Sequence, residues 1–220
     1  MWSWEHAFEV FPEIFSALKI TVSVTFISFF LALVFGLVLT LLRRSKSKLI
    51  SYPTAFFIEF IRSTPLLVQA FFIFYVLPLY GIRLSPFVAG FVALGLHYST
   101  YLSEVYRSGI EGVSKGQWEA ARALNFSPIQ TWIRIILPQA VPPIIPVLGN
   151  YLIVMFKETP ILAAITLLEI FGTAREIASV DWRFLEPITI VGFLFLFISY
   201  PASLAVSWLE KKFNRQEGRA

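Results

Sequence analysis

The sequence has no cysteine, only two histidines, and few charged residues, which make up 15% of the chain. Without cysteine there is no disulfide and no thiol chemistry, and two histidines cannot form a metal site unless carboxylates join them. None of the eleven glycines belongs to a G-x-x-x-x-G-K-[ST] motif, so the chain lacks the phosphate-binding loop of an ATPase. No Ser/His/Asp arrangement or pair of cavity carboxylates indicates an enzyme. We therefore expect no catalytic site, no metal and no cofactor within the chain.

Apolar and aromatic residues are present in excess: 57% of the 220 residues are hydrophobic and 23 are phenylalanine. This composition is typical of a membrane protein. Five apolar segments, at about 14–42, 53–80, 86–106, 139–166 and 187–209, each reach the roughly 20 residues that a helix needs to cross a bilayer. The sequence therefore predicts an all-α membrane protein with five transmembrane helices in a single domain, residues 1–220.

Basic residues are divided unequally between the two sides of the predicted membrane. One side carries twelve, namely Arg43, Arg44, Lys46, Lys48, Arg107, Lys115, Arg122, Arg134, Lys211, Lys212, Arg215 and Arg219. The other side carries three, Arg83, Arg175 and Arg183, together with seven acidic residues. Because cytoplasmic loops hold the excess of Lys and Arg, the amino terminus is predicted outside and the carboxyl terminus in the cytoplasm. Basic loops that face anionic lipid also explain the net charge of +4 without a nucleic-acid partner.

A cytoplasmic loop, residues 107–138, separates the third and fourth segments and contains two short amphipathic helices. Each is about ten residues long, too short to cross the membrane. In the first helix, Ser114 and Gln117 predict a capping box, and Asn125 is expected to end the helix because Asn tolerates the left-handed conformation. Its apolar face is predicted to consist of Trp118, Ala121 and Leu124.

The start signal recurs for the second helix at Ser127, with Pro128 at the first helical position and Gln130 at the third. Pro138 is expected to stop this helix. Its predicted apolar stripe is Ile129, Trp132, Ile133 and Ile136. Such a pair of helices should lie against the membrane face or dock on a partner beside it.

Several polar residues fall inside the predicted spans, where they must face protein, a partner or a wet cavity. Two interpretations are open for them: ion pairs that fasten helices together, or contacts with a transported solute. For Glu104, near the cytoplasmic end of its span, interfacial solvation is a further explanation. The candidates for a solute pathway are Arg62, Gln69, His97, Ser99, Glu104, Asn150, Lys157 and Glu158.

The fourth span contains four prolines, Pro142, Pro143, Pro146 and Pro160. They predict a broken helix, because each proline removes an N–H donor and the freed backbone groups are tolerated only inside protein or at a water-filled cavity. A zwitterionic solute needs one positive and one negative contact, which Lys157 and Glu158, with Asn150, could supply. The alternative is an intramembrane salt bridge to Glu104, Glu59 or Arg62.

The sequence Glu119-Ala120-Ala121, followed after a turn by Ile136-Leu137-Pro138, resembles the EAA motif of permeases in bacterial ATP-binding-cassette (ABC) importers. In that family the motif forms a coupling helix that sits in a groove of the ATPase subunit. The chain departs from the family at Asn125, where glycine is usual, but Asn suits the same left-handed helix end. The alternative is an amphipathic loop that packs on its own helical bundle. The resemblance implies an ATPase-coupling set of Gln117, Glu119, Ala120, Ala121, Asn125, Leu137 and Pro138.

The resemblance continues through 62–69, 101–116, 136–146 and 155–165, in the family's order. The chain is similar to permease subunits of type I importers in the histidine/glutamine/arginine family, which implies the binding-protein-dependent transport fold. The segments 96–98 and 155–160 look closest to the ectoine and hydroxyectoine branch. The resemblance also implies a bacterial cell-membrane location, a second permease (a copy or a paralogue), two cytoplasmic subunits that use ATP and Mg, and an external solute-binding protein.

Two other functions are weighed against this one. An ion-driven secondary transporter could use Glu104 or Glu158 as a proton site, but five spans are few and no inverted repeat is visible. A membrane scaffold would recruit a soluble enzyme through the cytoplasmic helices, but it has little reason to keep Lys, Arg and Glu inside the membrane. A permease subunit, in which partner ATPases drive alternating access, accounts for both features.

Overall fold

Every regular element in residues 2–217, the part of the chain that the computed structural model describes, is helical. The helices are α1 Trp4–Arg43, α2 Lys48–Arg62, α3 Leu66–Phe71, α4 Pro86–Gly112, α5 Lys115–Ala123, α6 Pro128–Thr131, α7 Leu137–Glu158, α8 Ile170–Asp181 and α9 Leu185–Glu217. Two π-helical turns, Phe72–Val76 and Trp132–Ile136, and two 3₁₀ segments, Leu77–Tyr80 and Thr159–Ile165, join them. Side chains are described through residue 213, so Arg215 and Arg219 of the predicted cytoplasmic basic residues lie outside this range.

Three helical stretches are long and apolar enough to cross a bilayer: Trp4–Arg43, Pro128–Ile165 and Leu185–Phe213. A fourth candidate is a bent pair, α2 and the stretch Leu66–Tyr80, which meet at 102° and form either a broken span or a re-entrant loop. The 27 residues of α4 are sufficient in length, but its polar residues make it less apolar than the others. The all-α membrane fold is confirmed, and the predicted second span, 53–80, is corrected to two short helices with a sharp bend. The count of five depends on α4 and stays a prediction.

Helices α1 and α4 pack closely because small residues line both of them. The small buried positions recur every fourth residue: Ser28, Ala32, Gly36 and Thr40 on α1, and Gly95, Ser99 and Ser103 on α4. A Cβ atom on Gly36 would lie 2.9 Å from the carbonyl oxygen of Ser99. The Thr40 hydroxyl donates to the Ser103 carbonyl across the interface at 3.0 Å. In lipid, where apolar contacts alone give little net gain, such close backbone approach holds helices together.

The bend between α2 and α3 is held by the side chain of Gln69. Its amide nitrogen donates to the carbonyl oxygens of Ile61 and Thr64, at 2.8 and 3.1 Å, and to the Thr64 hydroxyl at 2.7 Å. Its amide oxygen lies 3.2 Å from Nδ1 of His97 on α4. Pro65 has an extended backbone, with ψ of 138°, which prevents the helix from continuing. One half-buried amide therefore pairs backbone groups that the broken helix leaves free and ties the bend to α4.

Each π-helical turn ends two residues before a proline: Phe72–Val76 before Pro78 and Trp132–Ile136 before Pro138. A proline has no N–H, and its ring clashes with the carbonyl four residues earlier. A widened turn accommodates both effects. Helix α6 therefore continues through the turn into α7, and the expected stop at Pro138 is wrong. The second amphipathic helix and the fourth span form one connected element, Pro128–Ile165.

Helix α7 is unbroken at Pro142, Pro143 and Pro146, which corrects the prediction of a break there. The φ of proline matches that of a helix, so the helix persists and loses only hydrogen bonds. The interruption lies farther along, where the 3₁₀ segment Thr159–Ile165 follows and Thr166 adopts a left-handed φ of 63°. The irregular part of this span is therefore at its outer end.

The predicted outer end of the bundle contains a second apolar cluster, in which α1 packs against α8 and α9. The 40 residues of α1 extend about 60 Å, twice the ~30 Å hydrocarbon core.

Glu169 caps α8 by accepting hydrogen bonds from the N–H groups of Phe171 and Gly172, at 3.1 and 2.7 Å. Burial raises the pKa of Glu169 to about 7, although these two hydrogen bonds act in the opposite direction. The Ser3 N–H donates to the Glu186 carboxylate at 2.8 Å and so ties the start of α1 to α9.

Replacing Gly36 by Ala is expected to destabilise the protein, because the added methyl group would overlap the Ser99 carbonyl on α4. Overpacking of this kind costs ~1–3 kcal/mol and should lower the thermal unfolding midpoint in detergent by several degrees. Gly192→Ala is the matched control, since a Cβ at that α9 position meets nothing within 4 Å. Equal midpoints for the two variants would contradict the close packing of α1 and α4.

Candidate functional site

The loop helix α5 ends at Asn125, whose φ is +55°. The Phe126 N–H donates to the Ala121 carbonyl, and the Asn125 N–H donates to the Arg122 carbonyl, both at 3.0 Å. These two bonds form the Schellman arrangement, which satisfies the last carbonyls of a helix. The predicted left-handed helix end at Asn125 is therefore present.

The two helices of the loop begin differently. Ser127 and Gln130 form a complete capping box. The Gln130 N–H donates to the Ser127 hydroxyl at 3.3 Å, and the Ser127 N–H donates to the Gln130 amide oxygen at 2.9 Å. Ser114 occupies the N-cap of α5, but the predicted capping box with Gln117 is absent. The Gln117 N–H instead donates to the Ser114 backbone carbonyl at 3.0 Å, so it is not available to the hydroxyl.

Two tryptophans hold the loop helices together. Trp118 of α5 meets Trp132 of the π-helical turn edge to face, with ring centroids 5.4 Å apart. Ala121 and Ile136 are fully buried beneath them. Part of each predicted apolar face thus packs inside the loop.

The remaining apolar residues of the loop face outward. Leu124, Ile129 and Ile133 are 67%, 71% and 61% exposed, so the predicted faces are only partly buried. Of the predicted coupling residues, Gln117, Glu119, Ala120, Leu137 and Pro138 are exposed as well. Exposed apolar residues of this kind are typical of interaction surfaces. It disfavours the alternative of a loop packed only on its own bundle.

A cavity of about 930 Å³ opens beside the loop, between α4 and α7. Its chemically distinctive side chains are Arg62, Tyr101, Glu104 and Tyr151. Its lining also includes Pro138, Gln139 and Pro142. The carbonyls of these three have no helical donor, because Pro142, Pro143 and Pro146 stand four residues later and carry no N–H. The cavity therefore lies where the irregular helix supplies backbone acceptors, as expected for freed groups in a membrane protein.

Arg62 places a positive charge at the wall of this cavity. Its Cζ atom lies 5.2 Å from the centre of the Tyr101 ring. Its Nη1 atom lies 3.6 Å from the Glu59 carboxylate, which is 60% exposed, so this ion pair is weak. Its Nε atom is buried and has no hydrogen-bond partner among the described residues. The Arg62 side chain as a whole is 33% exposed, and a stacked guanidinium at a cavity wall is suited to binding a carboxylate.

Glu104 is held by two arginines. It accepts hydrogen bonds from Arg43 of α1, and from Nε and Nη2 of Arg107 at 2.9 and 2.6 Å. Arg107 also donates to Glu111 at 2.6 Å. The hydrogen bonds to Glu104 and Glu111 raise the pKa of Arg107 above its usual range. The ion-pair interpretation accounts for Glu104, which fastens α1 to α4 at the cavity.

Three other predicted pathway residues lie within the helix packing. Gln69 and His97 bond to each other at the α2–α3 bend. Ser99 is fully buried between α1 and α4, where its hydroxyl donates to the Leu96 carbonyl at 2.6 Å. None of these three residues lines the cavity. Their contact with a solute stays a prediction.

Asn150, Lys157 and Glu158 also lie outside the cavity lining. Asn150 and Lys157 are exposed on α7, and Glu158 is half-buried. The predicted alternative of a salt bridge is not formed, since Arg62 and Glu104 have other ionic partners in the described chain. No group of three or more potential metal ligands occurs among the described residues. Glu158 interacts with the Tyr98 side chain, whereas Lys157 is exposed and stays open to a solute or a second subunit.

Sequence reasoning missed Tyr151, which lines the cavity from α7. Its ring centroid lies 5.9 Å from that of Tyr98 and 6.2 Å from that of Tyr101, and those two are 5.7 Å apart. The polar cluster at 97–101 was visible in the sequence. The pairing of α4 with α7, which adds the third tyrosine, has no local signal.

Comparison with known proteins supports this geometry. Residues 11–215 match the family described as binding-protein-dependent transport system inner membrane component. The chain is 42% identical over 200 residues to the probable amino-acid ABC transporter permease protein y4tG of Sinorhizobium fredii, covering 91% of this chain and 87% of that protein. It is 34% identical over 224 residues to the nopaline transport system permease protein NocM of Agrobacterium fabrum, covering 96% and 93%.

A solved structure shows the same fold at similar length. The crystal structure of an amino acid ABC transporter with histidines contains a chain that matches with a TM-score of 0.91 at 33% identity, covering 96% of this chain and 99% of that one. The chain therefore belongs to the binding-protein-dependent transport inner membrane components and has the permease fold of type I ABC importers.

Proposed function

We propose that this permease carries a polar amino acid, or an amino-acid-like compatible solute such as ectoine or hydroxyectoine, into the cytoplasm by alternating access. The observation that carries the proposal is the connection between the exposed loop and the cavity. Helix α6, the π-helical turn and α7 form one stretch, Pro128–Ile165, which presents Ile129 and Ile133 to a partner at one end. The same stretch lines the cavity with Pro138, Gln139 and Tyr151. Movement of the loop therefore moves a cavity wall.

The partners follow from this arrangement and from the family. Two cytoplasmic ATPase subunits, which bind ATP and Mg, would dock on the exposed loop through Gln117, Glu119 and Ala120. A second permease, either another copy or a paralogue, would complete the translocation path. An external solute-binding protein would deliver the solute at the outer face, with the amino terminus outside and the carboxyl terminus in the cytoplasm. ATP and the loaded binding protein can drive the cycle only if each binds one of the two conformations of the importer more tightly than the other.

The cavity chemistry favours a solute with both charges. Arg62 lines the cavity, and its guanidinium is suited to a carboxylate, while the carbonyls freed by the prolines and the faces of Tyr101 and Tyr151 suit a cationic group. Lys157, Glu158 and Asn150 lie nearer the predicted outer end of α7 and would meet the solute earlier in its passage. The solute would therefore meet Lys157, Glu158 and Asn150 first and the cavity afterwards.

The two alternative functions receive less support from the structure. A secondary transporter would need a free carboxylate as its proton site, but Glu104, one of its two candidates, is bonded to both Arg43 and Arg107, which leaves only Glu158. A scaffold would not need a cavity lined by arginine, tyrosine and unpaired carbonyls. The relatives are named as transport permeases, and two of them carry amino-acid or opine names.

The substrate is tested with the solute-binding protein encoded beside the permease. Calorimetric titration with ectoine, hydroxyectoine, arginine, glutamine and histidine identifies the cargo of the system. Selective binding of ectoine or hydroxyectoine would make this an osmolyte importer. Tight binding of arginine, glutamine or histidine would keep the amino-acid function and exclude the ectoine branch, and binding of none would contradict the proposed solute class.

Glu119→Lys is expected to leave the permease in the membrane but to reduce ATP-driven uptake about tenfold or more, because a reversed charge at a docking surface opposes association by several kcal/mol. The measurement is solute uptake into proteoliposomes that contain the whole importer, with co-purification of the ATPase as a second readout. Glu210→Lys, an exposed carboxylate on α9 outside the loop, is the control. Normal uptake by the Glu119 variant would refute the coupling assignment.

Arg62→Gln is expected to reduce uptake about tenfold, since hydrogen bonds to a charged group contribute ~1.5–3 kcal/mol. Arg62→Lys should restore only part of the rate, because an ammonium cannot present the same planar pair of donors. Arg83→Gln, an exposed arginine on the predicted outer loop, removes the same charge away from the cavity. Equal uptake by the Arg62 and Arg83 variants would show that Arg62 does not contact the solute.

A further inference from the structure

The end of α1 makes two contacts that the function described above does not use. Arg43, its last residue, forms an ion pair with Glu104 at the cavity. Arg44, which caps the helix, places its guanidinium over the ring of Trp132 in the cytoplasmic loop, 5.8 Å from Cζ to the ring centre. Two adjacent arginines thus connect one helix end to the cavity and to the loop.

Trp132, which Arg44 contacts, lies where the two helices of the loop meet. Trp132 begins the π-helical turn that joins α6 to α7, and its ring also meets Trp118 of α5 at 5.4 Å. A cation placed over this ring therefore touches the joint at which both loop helices come together. Any displacement of the loop by a partner displaces the surface on which Arg44 lies.

The contact on the cavity side is rigid. Besides the ion pair of Arg43 with Glu104, the Thr40 hydroxyl donates to the Ser103 carbonyl, one turn away. Gly36 allows the two helices to approach closely enough that a methyl group would not fit. Since packed helices without free volume move together, displacement of the α1 end is passed to α4 and to the cavity wall at Glu104.

We propose that Arg44 is a positioning residue for transport, which couples the cytoplasmic loop to the α1–α4 pair through its contact with Trp132. The inference rests on the proposed function, because it needs an ATPase to move the loop. It adds a second connection between loop and cavity, through α1, to the one that α7 provides. Lys46 lies two residues further on, is exposed, and makes no ion pair or cation–π contact among the described residues. Lys46 is therefore the control for a charged side chain that contacts only solvent.

The test compares the solute transported per ATP hydrolysed in proteoliposomes that contain the complete importer. Arg44→Met should lower this ratio about two- to five-fold, the factor that an exposed cation–π contact represents. Arg44→Lys keeps a cation over the ring and should retain most of the ratio. Lys46→Met removes the same charge without losing a contact and should transport as the unmodified protein does. The thermal unfolding midpoint of all three variants is expected to be unchanged.

A double variant separates the contact from a general charge effect. If Arg44 acts through Trp132, adding Arg44→Met to Trp132→Leu should produce no further loss, because coupled residues are not additive. Additive losses, or equal ratios for Arg44→Met and Lys46→Met, would overturn the proposal. If the unmodified importer showed no ATP-driven uptake at all, the proposed function itself would fail. ATP-driven uptake that is insensitive to Arg44 would contradict this inference alone.

Discussion

The close approach of α1 and α4 is the constraint on which the other features depend. In lipid, two apolar helices gain little by meeting, so a stable pair needs backbones near enough for dispersion and polar contacts. Small residues at every fourth position on both helices supply that approach. The register this sets places Arg43 beside Glu104 and directs the aromatic face of α4 toward α7. A cavity wall and a cytoplasmic helix end are thereby fixed by one interface.

A second constraint is the satisfaction of backbone groups away from water. Prolines in α7 leave three carbonyls without helical donors, and the residues that carry them line the cavity. The prolines at 78 and 138 follow π-helical turns, which absorb the missing donor without ending the helix. At the α2–α3 bend, the side chain of Gln69 takes over the free carbonyls. The irregular backbone therefore occurs where a solute or a side chain can supply the missing hydrogen-bond donors.

The sequence alone predicts the helical class, the short amphipathic helices of the loop and the helix end at Asn125, because hydrophobic length, periodicity and turn chemistry are local properties. The small residues at 95, 99 and 103 recur with the same period as those at 28, 32, 36 and 40, and this pattern could have assigned Ser99 to packing. The bend could not be predicted, since the partners of Gln69 include His97 on another helix. The sequence also could not predict that Ile129 and Ile133 are exposed, because an amphipathic pattern does not tell whether its apolar face contacts the same chain or a partner.

The central claim is that the cavity opens to the cytoplasm in one state of the cycle and closes in another. Because the chain has no cysteine, the Ser108→Cys variant carries a single thiol in this chain at the cavity lining. The rate at which a membrane-impermeant thiol reagent modifies it from the cytoplasmic side, in the complete importer, measures this opening. The account predicts rapid modification without nucleotide and slow modification with ATP and the loaded binding protein, while the exposed Lys46→Cys control reacts at one rate throughout. The same rate at Ser108→Cys in every state would contradict it.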